Sequence, residues 1–349
     1  LKESTGKTAV ALALAVAARD RGERVGYMKP KGTRLQSAVG KTVDEDPQLA
    51  RELLDLDAEM HEMEPVVYSP TFVHEAIRGR EDIEELHGEI RSQFEALSEG
   101  TDRMILEGGG SLTTGGIVDL TDADLAELLD ATVVLVASFS EPGDVDDLLA
   151  AADLLGERLG GVLFNDVSDA AFETLASDIV PFLEGRGVRV YGMVPHDSDL
   201  AGVTVAELTE ELGAELLTTA APTDGRVHRF VVGSMSAGET HGQLRQLRAA
   251  ALVTGGDRPD MQTAALEVSG VECLVLTGGI RPPDAVIGRA ESADVPVLFV
   301  RTDTRTTIDR VEDVIQSGRT RDADTVARMG ELLADYADTD AMLPPDRAD

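Results

Sequence analysis

The chain has no tryptophan, four tyrosines, eight phenylalanines and one cysteine. A single cysteine excludes a disulfide framework and a cysteine-rich metal site. Cys273, inside the strand-like VECLVLTGG, reads as a small buried hydrophobe and not as a nucleophile. The six histidines, at 61, 74, 87, 196, 228 and 241, show no ligand spacing, which argues against a catalytic zinc. There is no apolar run of about 18 residues and no signal-peptide pattern, so the expectation is a soluble, cytoplasmic protein with no membrane partner.

Lysine is also scarce. All five lysines (Lys2, Lys7, Lys29, Lys31 and Lys41) fall in the first 41 residues, and the rest of the chain uses arginine alone. Acidic residues number 65 against 31 basic ones, a formal charge of −34 on 349 residues. With 42% hydrophobic residues and clear periodicity, this acidity does not mean disorder. It fits a high-salt cytoplasm, where a short Debye length screens self-repulsion. It also argues against a nucleic-acid partner, which needs a basic face.

A chain that avoids lysine has kept it near its first residues, LKESTGKTAVALALAVAARD. The usual phosphate-binding loop is Gly, four residues, then Gly-Lys-Ser/Thr. Leu1 stands where the first Gly belongs. A variant carries a second Lys five residues before the invariant one, and Lys2-Glu3-Ser4-Thr5-Gly6-Lys7-Thr8 matches it at Lys2, Gly6, Lys7 and Thr8. Backbone N–H groups at the helix start would cradle phosphate, Lys7 would reach the β and γ oxygens, and the Thr8 hydroxyl would ligate Mg²⁺. Lys is a compact point charge suited to that task, and Arg does not replace it. The plain alternative is an ordinary helix start capped by Ser4 or Thr5. Such a loop normally follows a strand, which would place one before Leu1.

Downstream, strands alternate with helices: RVGYMKP, RMILEGG, ATVVLVAS, LGGVLFNDV and VRVYGMVP against intervening helical runs. This predicts a doubly wound parallel sheet of the P-loop type over 1–217, with ligands at the strands' carboxyl ends. The Thr/Ala/Pro/Gly-rich stretch at 218–226 reads as a linker. A second, smaller α/β domain is expected at 227–335, then a polar tail at 336–349. LVTGGDRP and VLTGGIRP within the second domain each end a strand on Thr-Gly-Gly, as tight turns or as a binding site.

Several residues become site candidates. Lys29 lies just past a strand. Asp44 and Asp46 precede a helix, where a carboxylate is either an N-cap or a Mg²⁺ ligand. Glu107 ends a strand ahead of three glycines and can hold Mg²⁺ directly or through water. Asn165 ends another strand and could read an adenine edge.

Residues 1–217, through KESTGKT, VGYMKP, ILEGGG, GVLFNDV and YGMVPHDSDLAGVTVAELTEELGAELL, resemble the dethiobiotin synthetase-like P-loop domain at the front of long phosphate acetyltransferases. Residues 228–335, through VTGGDRPDMQTAAL and LTGGIRPPDAVIGRAESADVPVLFVRTDTRTTIDRVED, resemble the DRTGG domain that follows it there. The overall composition is of the haloarchaeal type. The resemblance implies ATP and Mg²⁺ as ligands, held by Lys2 to Thr8 and Asn165. It gives Lys7 and Lys29 the catalytic charges. Thr8, Asp46 (or Asp44) and Glu107 take the metal. In that family the acetyltransferase catalytic domain lies C-terminal to the tandem, and it is expected to be absent here because the sequence stops after the tandem. Cobyrinic acid amide synthases need a reactive Cys and His, which Cys273 does not supply. The expected function is an ATP/Mg²⁺-binding regulatory or sensor protein, a homo-oligomer acting on an acyl-CoA-metabolising enzyme in answer to a small-molecule effector. The alternatives are an ATP-dependent ligase or kinase for a carboxylate substrate, and a structural P-loop scaffold.

Overall fold

The computed structural model describes residues 5–33, 36–38, 41–43, 45–197, 200, 202–233, 249–316 and 322–344. Lys2, Glu3, Ser4, Asp44 and His241 lie outside them. The chain divides into two units, Leu1–Asp197 with Arg319–Asp349, and Ser198–Gly318.

The first unit begins with α1 (Lys7–Asp20), an Ala/Leu run of strong helix formers that stops at Arg21 and the left-handed Gly22. Leu12, Ala13, Leu14, Ala15 and Ala18 are all buried, so α1 is an inner helix whose small side chains permit close packing. Strand β1 (Val25–Met28) follows and is buried along its whole length, as a strand covered on both faces must be. Helices α2 (Glu45–Leu54) and α3 (Ile83–Ser98) lead to β2 (Arg103–Leu106), which pairs with β1 in parallel. Next come α4 (Asp122–Leu128), β3 (Val133–Ala137), α5 (Asp144–Leu155), β4 (Leu159–Val167) and β5 (Val190–Pro195). Strands β3, β4 and β5 form a parallel sheet in that order. Its core gathers Leu148, Phe164, Leu175 and Leu183, with Phe139 edge-on to Phe164 at 6.2 Å.

The second unit contains α6 (Val205–Leu212), β6 (Arg229–Val232), β7 (Ala250–Gly255), α7 (Pro259–Ala265), β8 (Val271–Thr277), α8 (Asp284–Ser292), β9 (Val297–Phe299) and α9 (Thr304–Gln316). Strands β9, β8, β7 and β6 are parallel neighbours, and the two-residue strand Glu215–Leu216 closes the β9 edge antiparallel. Alternate residues of β7 and β8 enter two apolar clusters, Ala251, Val253, Cys273 and Val275 in one, Leu252, Leu274 and Leu276 in the other. Cys273 is fully buried, as its setting in the sequence suggested, and burial pushes its thiol pKa up.

The division differs from the expected one at both ends. The stretch 218–226 is not a free linker. Leu217 N–H donates to Val297 O at 2.8 Å, and the buried Thr218 hydroxyl accepts from Val297 N–H at 3.1 Å. Polar composition misled here because this backbone finds its partners on a sheet edge. The segment after α9 is not a tail of the second unit. Helix α10 (Ala323–Tyr336) packs on α1 and β5 through Val326, Met329, Leu332 and Leu333. Helix α11 (Thr339–Met342) continues on the first unit, where Asp338 N–H donates to Tyr191 O and the Arg103 guanidinium to Pro344 O. Met342 and Leu343 are buried there, two apolar residues in a stretch otherwise rich in Asp and Pro.

Because α10 covers the phosphate-loop helix, Leu333→Ala should destabilise the first unit by about 2–5 kcal/mol, the cost of a buried Leu-to-Ala cavity. Urea unfolding in concentrated salt measures it. An unchanged midpoint would show that α10 does not hold α1.

Candidate functional site

Gly6 is the N-cap of α1 with φ 81°; among the described residues no side chain caps the first turn, and that turn has no acidic residue. The Thr5 hydroxyl is buried without a hydrogen-bond partner. A helix start that leaves N–H groups uncapped and its dipole uncompensated is the arrangement that takes an anion. Gly6 is required twice over. Its φ is left-handed, and a Cβ there would lie 2.4 Å from Asn165 Nδ2.

The residues singled out from the sequence converge on this point. Thr8 Oγ1 donates to Glu107 Oε1 at 2.6 Å, and Lys7 Nζ donates to Gly110 O at 2.6 Å. Lys29, on the residue after β1, and Glu107, on the residue after β2, sit side by side because β1 and β2 are paired in register. Lys29 Nζ donates to Asp46 Oδ2 and lies 3.7 Å from Glu107 Oε1. Asp46, in the first turn of α2, is buried and turned inward to Lys29. Asn165 is buried beneath the loop, its Nδ2 donating to Thr5 O at 3.0 Å, so it braces the loop's backbone.

Three contributors were not foreseen. Tyr27 donates its hydroxyl to Glu107 Oε2 at 2.7 Å. The Gly110 carbonyl holds Lys7. Lys31, with no exposed surface, donates to Thr114 O and to Leu120 O at 2.8 Å, and stands 3.5 Å from Asp122 Oδ1. It staples the glycine loop from within. A Cβ at Gly109 would come 2.2 Å from Lys31 O, and one at Gly115 would come 2.2 Å from Leu120 O. Burial lowers the Lys31 pKa and raises that of Asp122, and their mutual attraction opposes both shifts. The Lys-Pro-Lys doublet in a lysine-poor chain was the available signal for Lys31. Nothing in the sequence marked Tyr27.

Burial, and then the Asp46 charge, push Glu107 up to about 7, against the opposing pull of Lys29, Thr8 and Tyr27. As donors, a hydroxyl and two carboxylates are hard oxygen ligands. Mg²⁺ commonly takes one or two carboxylates and fills its other positions with water and phosphate. Among the described residues no three His, Cys, Asp or Glu side chains converge, so Thr8, Asp46 and Glu107 fit that economical kind of site.

In the second unit, the two Thr-Gly-Gly stretches lie at the ends of adjacent strands β7 and β8. Thr277 Oγ1 donates to Thr254 O at 3.3 Å, and Gly256 N–H to Thr277 O at 3.2 Å. A Cβ on Gly256 would come 1.6 Å from Ile280 O, so that glycine serves the close contact of the two turns.

A helix start at Gly6-Lys7-Thr8 beside two strand-end charges defines a P-loop domain. Residues 1–204 match the AAA domain family, to which the chain belongs, and residues 207–314 match the DRTGG domain. The chain is 25% identical to phosphate acetyltransferase of Pseudomonas putida over 95% of its own length and 49% of that protein's. It is 28% identical to the ATP-dependent dethiobiotin synthetase BioD of Methanococcus vannielii, over 56% of this chain and 90% of that one. The chain thus spans about half the length of the acetyltransferases it matches. A solved structure of the CBS and DRTGG domains of the regulatory region of Clostridium perfringens pyrophosphatase, complexed with diadenosine tetraphosphate, matches 55% of this chain and 78% of that one. At 17% identity and a TM-score of 0.29, that match carries no argument.

A folded-state pKa raised above the unfolded value stabilises the protein at low pH, and the benefit is lost as pH rises. For Glu107 the window runs from 4.5 to about 7. Across it the apo protein should lose up to about 1.4 kcal/mol per pH unit relative to Glu107→Gln, whose side chain does not titrate. Denaturant unfolding of both proteins at several pH values measures the difference. Parallel pH profiles would mean that Glu107 titrates normally.

Proposed function

We propose that the chain binds ATP with Mg²⁺ at the P-loop and acts as a regulatory or sensor half for an acyl-CoA-metabolising enzyme, in answer to a small-molecule effector of the second unit. The observation that carries the nucleotide reading is the cluster Lys7, Thr8, Lys29, Asp46 and Glu107 at the glycine-capped start of α1. ATP phosphates would lie on the N–H groups of α1, with Lys7 and Lys29 as the cations nearest them. Thr8, Asp46 and Glu107 would hold Mg²⁺, which would offset the phosphate charge. Asn165 would meet the nucleotide only from beneath the loop or by giving up Thr5. The regulatory part is supported by likeness to the front halves of phosphate acetyltransferases and by the presence of the DRTGG domain. Cytoplasmic location, adaptation to high salt and assembly of several copies belong to the same proposal.

A second reading, an ATP-dependent ligase acting on a carboxylate, has in its favour the likeness to dethiobiotin synthetases over 56% and 59% of the chain. The two readings part on one assay. A ligase releases γ-phosphate only when its carboxylate is present, whereas a sensor binds ATP and alters a partner's activity.

Lys7→Ala should reduce ATP affinity by a hundredfold or more, on the order of 3 kcal/mol, while leaving the circular dichroism spectrum unchanged. Calorimetric titration in concentrated salt reads this directly, and wild-type affinity in the variant would end the P-loop assignment. Glu107→Gln should weaken ATP binding with Mg²⁺ far more than without it. An equal loss in both conditions would remove Glu107 from the metal site. The regulatory reading further requires reciprocity. An effector of the second unit must change ATP affinity by the factor by which ATP changes the effector's.

A further inference from the structure

Lys29, Asp46 and Glu107 are each at most 4% exposed. Two carboxylates in so dry a place repel one another strongly unless a cation stands between them. Among the described residues, Lys29 is such a cation. The Lys29 ammonium donates to Asp46 Oδ2 and lies 3.7 Å from Glu107 Oε1, the oxygen that also accepts the Thr8 hydroxyl. The other Glu107 oxygen is held by Tyr27. The ammonium therefore adjoins the same hydroxyl and carboxylates that would serve a divalent metal.

We infer that Lys29 is the resident cation of this site, so that a divalent metal binds there only together with a nucleotide. Without nucleotide, an incoming divalent ion meets a fixed positive charge a few ångströms away, and the carboxylates it seeks are already neutralised. A nucleotide's phosphates at the start of α1 supply new anionic oxygens for the ammonium, and the carboxylates are then released to the metal. The second half of this inference rests on the nucleotide-binding proposal above; the first half does not.

The test is Mn²⁺ titration of the full chain in concentrated salt, read by the electron paramagnetic resonance signal of free Mn²⁺. In wild type without nucleotide, the curve should superimpose on that of Glu107→Gln, both showing only the weak background of surface carboxylates. Lys29→Met should gain one site per chain, tighter than that background by about tenfold or more, as removal of one charge at this range requires. The added mutation Glu107→Gln should abolish the gained site. Lys29→Arg, which keeps the charge, should behave as wild type. In wild type a non-hydrolysable ATP analogue should create the Mn²⁺ site, and Mn²⁺ should tighten the analogue by the same factor. In Lys29→Met that coupling should shrink, an effect that loss of packing alone would not produce. Lys29→Gln provides a second neutral replacement should the Met variant misfold.

A nucleotide-free wild-type Mn²⁺ site that Glu107→Gln removes would overturn the inference. So would the absence of a gained site in folded Lys29→Met and Lys29→Gln. If the analogue fails to bind wild type while the nucleotide-free results hold, the nucleotide reading and the ordered binding fall together, and Lys29 remains the resident cation.

Discussion

A carboxyl group removed from water has to be stabilised by its surroundings, and much of the first unit is arranged around one such group. Glu107 takes a hydroxyl on each of its oxygens, Thr8 from α1 and Tyr27 from β1, with Lys29 alongside. These three partners come from elements that are adjacent because β1 and β2 pair in parallel register and α1 begins at their carboxyl ends. The site is thus a consequence of the sheet. A slip of one residue between β1 and β2 would turn side chains to the opposite faces and separate Lys29 from Glu107.

The glycine loop after Glu107 depends on a second buried charge. Lys31 collects two carbonyls and approaches Asp122, and the loop's glycines leave room for its main chain and for Leu120 O. Two of the chain's five lysines, Lys29 and Lys31, are therefore interior residues with defined partners. Lys7 is the lysine that stands at the helix start, where the sequence reading put a phosphate contact, and there it donates to the Gly110 carbonyl. For Lys31 the reason is different. A slender ammonium can reach inward among carbonyls where a planar guanidinium would not fit.

Much of this was legible beforehand. The alternation of strand and helix, the α1 start at Gly6-Lys7-Thr8, and the strand ends carrying Lys29 and Glu107 are all local patterns. Local patterns survive in sequence because propensity and periodicity act over a few residues. The errors concern long-range pairing. Nothing in LLTTAAPTDGR announces that Thr218 will accept a hydrogen bond from Val297, and nothing in YADTDAMLPPDRAD singles out Met342 and Leu343 for burial. Tyr27 belongs to the same class. Every residue of β1 is buried, so burial does not single Tyr27 out, and only the fold reveals that its hydroxyl ends on a carboxylate. Asn165 was read as a base-recognition residue, and its amide instead braces the loop's main chain at Thr5.

The return of α10 to α1 also fixes an order of events during synthesis. The surface that covers the phosphate-loop helix is encoded after the whole of the second unit. While residues 198–318 emerge from the ribosome, at roughly 5–20 residues per second, α1 waits without its cover for on the order of ten seconds. An Ala/Leu-rich helix left that long with an apolar flank open is a natural client for a chaperone, and rare codons within the second unit would lengthen the wait. Translation speed in one unit would then bear on the yield of the other.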